Sequence, residues 1–441
     1  MIDIHLLREN PEMFRKAFKA RGFDESALED FFRLDSQWRE KLKDLNTLRH
    51  EKNDITASIS SLIKEGKDVE DAKGKVKSIN ERINSLETEM AEIENARTKV
   101  LNIMPNLLHE SVPVCKGDEN NQFHSFWGNA RVYSGDLEEF KNSTAGKGKF
   151  TLIERKPVSH VDLLSSLDLA DLERASRVSG ARFFYLKNRL VKLELALVNY
   201  AVDFLSERGF NVVEPPYMLN LSAMSGATDM ETFKDTLYKM EGEDLYLIST
   251  SEHPIASMYM GETLESSSLP LRIAGVSPCF RREAGAHGKD TKGIFRVHQF
   301  TKIEQFIFCH PDESWEFLEE LLKNSEDIFR NLEIPYRVVN VCSGELGNLA
   351  AKKYDIEAWF PAQGKFREVV SASNDTDYQA RSLGIKFRGK SGNQFVHTLN
   401  STAIATTRTI VAIMENFQSE DGKKIKIPEV LVPYTGFDTI S

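Results

Sequence analysis

Residues 34–100 carry apolar side chains at a spacing that alternates between four and three residues. Such a heptad pattern is typical of helices that pack along a common seam. The pattern runs over 34–62, stops at a polar segment around Gly66, and resumes over 69–100. At a rise of 1.5 Å per residue, each run is a helix on the order of 50 Å long. The sequence therefore predicts an antiparallel helical hairpin over about residues 27–101. The hairpin has to project from the rest of the protein, because little apolar surface lies outside the seam.

The pattern alone leaves the use of this hairpin open. It suits a dimerisation or scaffold coiled coil, and it equally suits an arm that reaches a large partner. Basic residues with few acids among them cluster near the tip, at Lys73, Lys75, Lys77 and Arg82. Such a cluster fits an RNA backbone, but a solvated helix face has the same composition.

Charge and cysteine content limit the kinds of partner and compartment. The 441 residues have a formal net charge of −10, so an RNA partner has to be met by local basic patches. The four cysteines are scattered, which is typical of a reducing cytosol and predicts no structural zinc. The N-terminal residues carry charges where a signal peptide has an apolar core, and no run of 18 apolar residues occurs. We expect a cytoplasmic protein without a membrane segment.

The length of the chain predicts two or three domains. Pro105 and the polar segment 116–122 mark a boundary, which divides the chain into an N-terminal domain, 1–110, and a second domain, 111–441. Helices are predicted over 10–22, 168–179 and 190–206. The strand predicted over 210–216 ends in two prolines and therefore has to lie at the edge or end of a sheet. Further strands are predicted over 244–252 and 366–374.

Within the second domain, residues 278–306 carry the largest number of side chains that are suited to binding a charged ligand. Strands are predicted over 278–283 and 294–306, joined by a polar loop with three glycines, Gly285, Gly288 and Gly293. Period-2 alternation places Arg281 with Glu283, and His298, Phe300, Lys302, Glu304 and Phe306 with one another. Arginine suits phosphate, an aromatic face can stack on a base, and a carboxylate can hold an amine. An ordinary surface hairpin with ion pairs is the alternative.

A buried arginine is predicted near the C-terminus. Residues 397–417 run from a strand into a helix that is apolar nearly all round, yet the helix contains Arg408. A buried arginine is rare unless it is paired with an anion. Either a carboxylate of the protein or a phosphate group of a ligand satisfies that need.

Several of these stretches resemble one family. FRREAG followed by GKDTKGIFRVHQFTKIE resembles motif 2 of the class II aminoacyl-tRNA synthetases, and specifically of the seryl-tRNA synthetases. Residues 190–216 resemble motif 1, TSE at 250–252 resembles the TxE motif, and 397–417 resembles motif 3 in its archaeal and eukaryotic form. LRHEKNDI within the hairpin and IPEVLVPYTG near the end are also similar to the family. The resemblance covers essentially the whole chain in order.

The resemblance implies an α+β fold, in which a class II antiparallel β-sheet flanked by helices follows an N-terminal antiparallel coiled-coil arm. It implies ATP-dependent formation of seryl-adenylate from L-serine and transfer of the seryl group to tRNA(Ser). It leaves open whether tRNA(Sec) is also an acceptor. A homodimer with motif 1 at its interface is implied, as is Mg²⁺ bound together with ATP. Two rivals remain: an amino acid ligase that loads a carrier protein, and a non-catalytic paralogue.

The resemblance also implies roles for individual residues. The catalytic residues are Arg281, Glu304 and Arg408. ATP is bound by Arg281, Glu283, Arg296, Phe300 and Arg408, and its magnesium by Glu368 and Ser371. Serine is bound by Thr250, Glu252, Arg281, Glu304, Asn400 and Thr402. The tRNA is bound by Arg49, Lys73, Lys75, Lys77 and Arg82. Glu368 and Ser371 are three residues apart, so they share a face only if the strand has a bulge or ends between them.

Overall fold

The computed structural model describes residues 1–283, 290–390 and 392–441. The chain divides into two compact units, Ile4–Pro105 and a larger unit made of Met1–Asp3 with Asn106–Ser441. Among the residues described, no helix is both long enough and apolar enough to cross a membrane.

The smaller unit is helical and contains the predicted hairpin. Its helices are α1 Ile4–Glu9, α2 Pro11–Arg21, α3 Ser26–Lys64 and α4 Glu70–Ile103. Helix α2 ends at Gly22, whose φ of 68° is the left-handed conformation that glycine adopts without strain. The heptad prediction is confirmed, because α3 and α4 bury Leu45, Leu48, Ile79 and Ile83 between them.

A polar cluster lies at the base of the hairpin. Asp35 is 3% exposed and accepts hydrogen bonds from Arg8 at 2.6 and 2.9 Å and from Arg97 at 2.7 Å. The Arg97 guanidinium also lies 4.4 Å from the ring centre of Trp38. Arg97 occupies a position of the heptad seam, and a buried polar group at such a position helps to fix the register of the two helices.

The larger unit contains eleven helices among its described residues. They are α5 Leu137–Ser143, α6 His160–Ser166, α7 Leu172–Ser179, α8 Arg189–Ser206, α9 Leu221–Ala227, α10 Met230–Phe233, α11 Glu252–Ala256, α12 Ser314–Asn331, α13 Tyr378–Leu383, α14 Thr406–Asn416 and α15 Val432–Thr435. The predicted helix over 190–206 corresponds to α8. The helix predicted from residue 168 begins only at Leu172, where the Asp171 side chain caps it by accepting a hydrogen bond from the Arg174 N–H.

The strands of this unit form one large sheet and several small ones. They are β1 Gln122–Trp127, β2 Ala130–Tyr133, β3 Phe150–Ile153, β4 Ala170–Asp171, β5 Tyr185–Leu186, β6 Asn211–Val213, β7 Met218–Leu219, β8 Tyr246–Leu247, β9 Thr263–Leu264, β10 Leu271–Phe280, β11 Gln299–Cys309, β12 Tyr336–Asn340, β13 Lys352–Phe360, β14 Lys365–Thr376, β15 Lys386–Gly389, β16 Gly392–Phe395, β17 His397–Ala405, β18 Ile425–Lys426 and β19 Thr439–Ile440.

The large sheet has eight strands in the order β1-β12-β13-β14-β17-β11-β10-β6. All neighbours are antiparallel except β10 and β6, which are parallel, so the predicted antiparallel sheet is in fact mixed at one end. Strand β6 lies at the edge, as its two following prolines predict. Helices α8, α12 and α14 pack on one face of the sheet, and α9, α11 and α13 border the other.

Two predicted strand segments are wrong in their limits. The first strand of the 278–306 hairpin begins at Leu271 and ends at Phe280, and the second covers Gln299–Cys309. Residues 294–298 are not a strand, because Ile294, Phe295 and Val297 are buried in the core instead of being paired. Most of the predicted loop, including Gly285, His287, Gly288 and Lys289, lies outside the described residues.

The prediction of a strand over residues 244–252 is also wrong for most of these residues. Only Tyr246 and Leu247 pair, with Met218 and Leu219, and α11 begins at Glu252. Thr250 and Glu252 are therefore not neighbours on one face of a strand. They lie where the chain turns into a helix.

Candidate active site

A cavity of about 510 Å³ opens on the face of the large sheet that α9, α11 and α13 border. Strands β11, β14 and β17 form its floor, and the segments that follow β8 and β10 form parts of its wall. All twelve residues that were predicted to bind ATP, serine or magnesium line this one cavity. They are Thr250, Glu252, Arg281, Glu283, Arg296, Phe300, Glu304, Glu368, Ser371, Asn400, Thr402 and Arg408.

A close approach of the Ser251 and Ile255 side chains to the backbone of β10 holds Thr250 and Glu252 beside β11. Gly275 on β10 pairs with Glu304 on β11. A Cβ atom at residue 275 would lie 2.5 Å from Ile255 and 2.7 Å from the Ser251 hydroxyl. Only glycine leaves room for the 250–256 segment here, and the Ser251 hydroxyl donates to the Gly275 carbonyl at 3.2 Å.

Glu304 lines the cavity and is 1% exposed. The Lys302 ammonium group forms a salt bridge with its Oε2 atom. Lys302 also donates to the Thr250 hydroxyl at 3.2 Å, and that hydroxyl lies 3.4 Å from the same Oε2. Burial raises the pKa of Glu304 above its usual value, and the charge of Lys302 partly offsets that effect. Thr402 is the residue opposite Glu304 on β17.

Two further carboxyl groups surround this pocket. Glu252 accepts a hydrogen bond from the Gln379 amide at 2.9 Å, and Asp375 accepts one from the Asn400 amide at 3.2 Å. Burial, and then the charge of Glu304, raise the pKa of Glu252 to about 7. Burial, and then the charge of Glu252, raise the pKa of Asp375 well above its usual value. The pocket is therefore rich in carboxyl groups, which in their ionised form suit a ligand with an ammonium group.

Arg281 and Phe300 lie together beside this pocket. The Arg281 guanidinium is 5.1 Å from the centre of the Phe300 ring, and its Nε donates to the Ser249 carbonyl at 3.3 Å. Backbone contacts fix the position: the Arg281 N–H donates to the His298 carbonyl at 2.9 Å, and His298 Nδ1 lies 2.7 Å from the Arg281 carbonyl. A fixed guanidinium next to a flat ring suits a phosphate that is attached to a heterocycle.

Arg296 and Glu283 form a second charged pair at the wall. Their side chains are 3.2 Å apart, and Arg296 Nε is 3.8 Å from Asp290. Asp290 also accepts a hydrogen bond from Arg367 on β14 at 2.7 Å. These contacts hold the segment after residue 290 against the sheet.

A bulge brings Glu368 and Ser371 to the same cavity. Glu357 on β13 pairs with Glu368, whereas Ile356 pairs with Val370, so Val369 is an extra residue in β14. The spacing of these two residues allowed either a bulge or a strand end between them, and the structure has the bulge. Burial raises the pKa of Glu368, but the charges of Arg408, Lys353, Arg281 and Lys302 outweigh it, and the net shift is downward.

Arg408 extends from the buried helix α14 into the cavity. It lies 3.3 Å from Glu368 Oε1, donates to the Glu368 carbonyl at 3.0 Å, and lies 5.2 Å from the Phe295 ring centre. The Glu368 side chain is 47% exposed, so this pair faces the open cavity and not the core. The sequence left two partners open for Arg408, a carboxylate of the protein and a phosphate group of a ligand. At this position Arg408 can contact either of them.

Sequence reasoning missed several residues of the cavity. Lys302, Lys353, His253 and Asp375 line it, as does the segment 347–350. Alternation along β11 already placed Lys302 on the same face as Phe300 and Glu304, so that signal was present. The other residues come from segments whose relation to the site depends on remote strand pairing.

The residues predicted to bind tRNA are in the smaller unit. Arg49, Lys73, Lys75, Lys77 and Arg82 are all exposed on α3 and α4. Arg49 pairs with Glu87 at 2.7 Å and Lys73 with Glu70 at 2.8 Å.

This sheet, with its cavity of arginines and carboxylates, defines a class II aminoacyl-tRNA synthetase core, and comparison with known proteins supports this. Residues 233–417 match the class II core domain of the tRNA synthetases for G, H, P, S and T, and residues 1–108 match the seryl-tRNA synthetase N-terminal domain. The chain belongs to the seryl-tRNA synthetase family.

Relatives match over their whole length. A serine–tRNA ligase of Picrophilus torridus is 65% identical over 440 residues, and one of Thermoplasma volcanium is 66% identical over 440 residues. Each alignment covers 100% of this chain and 99% of the relative. The crystal structure of seryl-tRNA synthetase from Pyrococcus horikoshii complexed with ATP is 53% identical with a TM-score of 0.95, and the match covers 100% of this chain and 99% of that one.

Proposed function

We propose that this chain is a serine–tRNA ligase, which activates L-serine with ATP and transfers the seryl group to tRNA(Ser). The observation that carries the proposal is the single cavity in which the arginines, the carboxylates and the aromatic ring of three separate sequence motifs meet. The full-length similarity to serine–tRNA ligases supports the choice of amino acid. We propose a cytoplasmic location, where translation consumes the product.

In the first step the serine carboxylate attacks the α-phosphorus of ATP, and pyrophosphate leaves. Glu304 and Thr250 hold the amino group, and Thr402 and Asn400 border the side chain. Arg281 neutralises the α-phosphate, Arg408 the γ-phosphate, and Phe300 stacks on adenine with Glu283 and Arg296 beside it. No strong base is needed, because the substrate carboxylate is already ionised at neutral pH. The protein contributes placement and charge stabilisation.

Glu368 and Ser371 fit a divalent cation bound together with ATP. Both offer oxygen atoms, which Mg²⁺ prefers, and the lowered pKa of Glu368 keeps its carboxylate ionised. Among the described residues, no group of three or more His, Cys, Asp or Glu side chains could hold a metal by itself. Mg²⁺ commonly takes one or two protein ligands and completes its shell with phosphates and water. When bound, it would neutralise charge on the polyphosphate.

The hairpin supplies the proposed contact with tRNA. Its tip carries Lys73, Lys75, Lys77 and Arg82 on exposed helix surface, and Arg49 lies further down on α3. Each such cation that meets a phosphate releases counterions, so charging should weaken as the salt concentration rises. In the second step the terminal hydroxyl of the tRNA attacks the carbonyl carbon of seryl-adenylate; the ester bond to the tRNA forms, the acyl–phosphate bond breaks, and AMP leaves with the hydroxyl proton passing to solvent.

We also propose a homodimer that forms through the motif 1 region. Helix α8 exposes Leu195 at 58% and Val191 at 39%, and the edge strand β6 exposes Val212 at 40%. Apolar side chains at an open sheet edge favour a protein partner. A monomeric mass in sedimentation at micromolar concentration would contradict this assembly.

The test of the proposed function is ATP–pyrophosphate exchange with each amino acid in turn. Serine should support exchange far better than threonine, because a rigid pocket around Thr402 excludes the additional methyl group. Alanine and glycine should be nearly inert, because they leave pocket groups that bind the hydroxyl unpaired. Faster exchange with another amino acid at equal concentration would refute the assignment of serine but not that of the class.

A further inference from the structure

Lys302 is a buried residue of the cavity to which the mechanism above gives no role. It is 8% exposed, and its ammonium group contacts Glu304 and Thr250. Those two residues are the ones expected to receive the amino group of the substrate. Lys302 therefore contacts both groups that are proposed to bind the amino group of the substrate.

The two carboxylate oxygen atoms of Glu304 differ in the contacts that they make. Lys302 and the Thr250 hydroxyl both contact Oε2. Among the residues that the structure describes, no group donates a hydrogen bond to Oε1. Since Glu304 lines the cavity, Oε1 is the atom that an incoming ammonium group can take without displacing Lys302.

Without Lys302, the surroundings of Glu304 would favour its neutral form over its ionised form. The carboxylate is 1% exposed, and two other carboxyl groups, Glu252 and Asp375, line the same cavity. Lys302 is the cation in direct contact with it. The other charged or titratable groups that line the cavity are Glu252, His253, Arg281, Glu283, Arg296, Lys302, Lys353, Glu368, Asp375 and Arg408, and the buried Cys279 lies on the neighbouring strand β10. His253 adds no positive charge, because burial and the charges of Arg281 and Lys302 lower its pKa to about 3.

We propose that Lys302 is a positioning residue, whose ammonium group keeps Glu304 ionised and holds one carboxylate oxygen while the other receives the amino group of the substrate. The proposal rests on the proposed function and deepens it. It makes recognition of the amino group depend on a lysine that need not touch the substrate. An amino group binds well to a carboxylate but poorly to a neutral carboxylic acid.

The pH dependence of the Lys302→Met variant tests this role. Methionine keeps the length of the side chain and removes the charge, so Glu304 should become protonated at neutral pH. A neutral carboxylic acid binds an amino group poorly, so the KM for serine should rise on the order of 100-fold near neutral pH. Between pH 6.5 and 8.5 the KM of the variant should fall about tenfold per unit more steeply than that of the unmodified protein. The KM for ATP should change little.

Two further variants separate this role from a structural one. Lys302→Arg keeps the positive charge and should restore most of the affinity for serine and a pH profile close to that of the unmodified protein. In a Glu304→Gln background there is no carboxylate at this position to keep ionised, so adding Lys302→Met should cause little further loss and no additional pH dependence. This double variant removes both charges of the pair, so it should fold even if Lys302→Met alone does not.

Lys353→Met is the matched control. Lys353 is another lysine of the same cavity, but it lies 3.5 Å from Asp355 and makes no contact with Glu304. It should not reproduce the pH-dependent loss of serine affinity. Its profile is measured by the same exchange assay, together with melting temperatures for all variants.

A loss of serine affinity in Lys302→Met that is equal at every pH would overturn the proposal, since it would indicate direct contact with the substrate or a folding defect. An undiminished effect in the Glu304→Gln background would overturn it as well. Failure of the proposed function looks different: the unmodified protein would then activate another amino acid in preference to serine. The Lys302 experiment would be run with that amino acid, because every amino acid carries the amino group.

Discussion

Replacing Arg408 with alanine separates a role in ATP binding from a role in folding. The contact that is lost involves a Glu368 side chain that is 47% exposed and an Arg408 side chain that is 19% exposed. Solvent in the cavity can hydrate the carboxylate that remains, so we expect the free energy of unfolding to fall by about 1 kcal/mol or less. A buried pair that loses one partner would cost about 3–5 kcal/mol.

These free energies translate into different melting temperatures. A loss of 1 kcal/mol lowers the melting temperature by about 2–4 °C in a domain of 150–250 residues. We therefore expect a decrease of no more than about 4 °C for Arg408→Ala without ATP. A structural ion pair would lower it by on the order of 10 °C.

Activity should respond much more strongly than stability. Arg408 is proposed to stabilise charge on the γ-phosphate, and loss of one such donor commonly costs about 10²–10³ in rate. Pyrophosphate exchange should therefore fall at least about 100-fold, and ATP should raise the melting temperature of the variant less than that of the unmodified protein.

Arg388→Ala is a suitable control, because Arg388 also pairs with a glutamate, Glu265 at 3.1 Å, but is exposed and lies outside the cavity. It should change neither exchange nor melting temperature. If Arg408→Ala melts on the order of 10 °C lower, or if it retains exchange within a few-fold, the assignment of Arg408 to ATP is wrong.

The remaining predictions concern the hairpin and the pH dependence of serine binding. Deleting residues 40–95 and closing the gap with a short turn should spare serine activation and abolish tRNA charging, because the buried seam is internal to the hairpin and the Arg8–Asp35–Arg97 cluster is retained. Charging assays read out this result, and tRNA charging that survives the deletion would exclude the arm from recognition. Serine binding near pH 7 should release protons: burial and the charge of Glu304 raise the pKa of Glu252 to about 7, and a bound ammonium group lowers it, so affinity should rise as the pH increases through 7. Calorimetry in buffers with different heats of ionisation measures the protons released, and a binding enthalpy independent of the buffer would contradict the argument.

The sequence alone determined the features that depend on local periodicity. The hairpin follows from a heptad repeat, α8 and α14 from long apolar runs, and the end of α2 from Gly22. These elements form their main hydrogen bonds within the helix, so the pattern that predicts them is contained in the segment itself. The edge position of β6 is of the same kind, because proline lacks the N–H that a central strand needs.

Resemblance to a family indicated the twelve residues of the cavity, and apart from the alternation along β11 the chain has no local signal that would bring them together. Glu368 and Ser371 show why. Their spacing requires a bulge or a strand end between them, but only the pairing of β14 with β13 decides that Val369 is the extra residue. The predicted limits of the two strands in the 278–306 hairpin were wrong for the same reason. Where each strand begins and ends depends on the remote strands with which it pairs.

The contacts between charged groups were decided by the tertiary structure alone. Alternation along β11 places Lys302 and Glu304 on one face, but it cannot say that Lys302 binds Glu304 Oε2 and leaves Oε1 open to the cavity. That arrangement depends on Thr250, which is held beside β11 because Gly275 lets the 250–256 segment approach. The sequence determines which side chains can carry a charge. Which charged groups pair, and how far each is removed from water, is decided only when distant segments pack together.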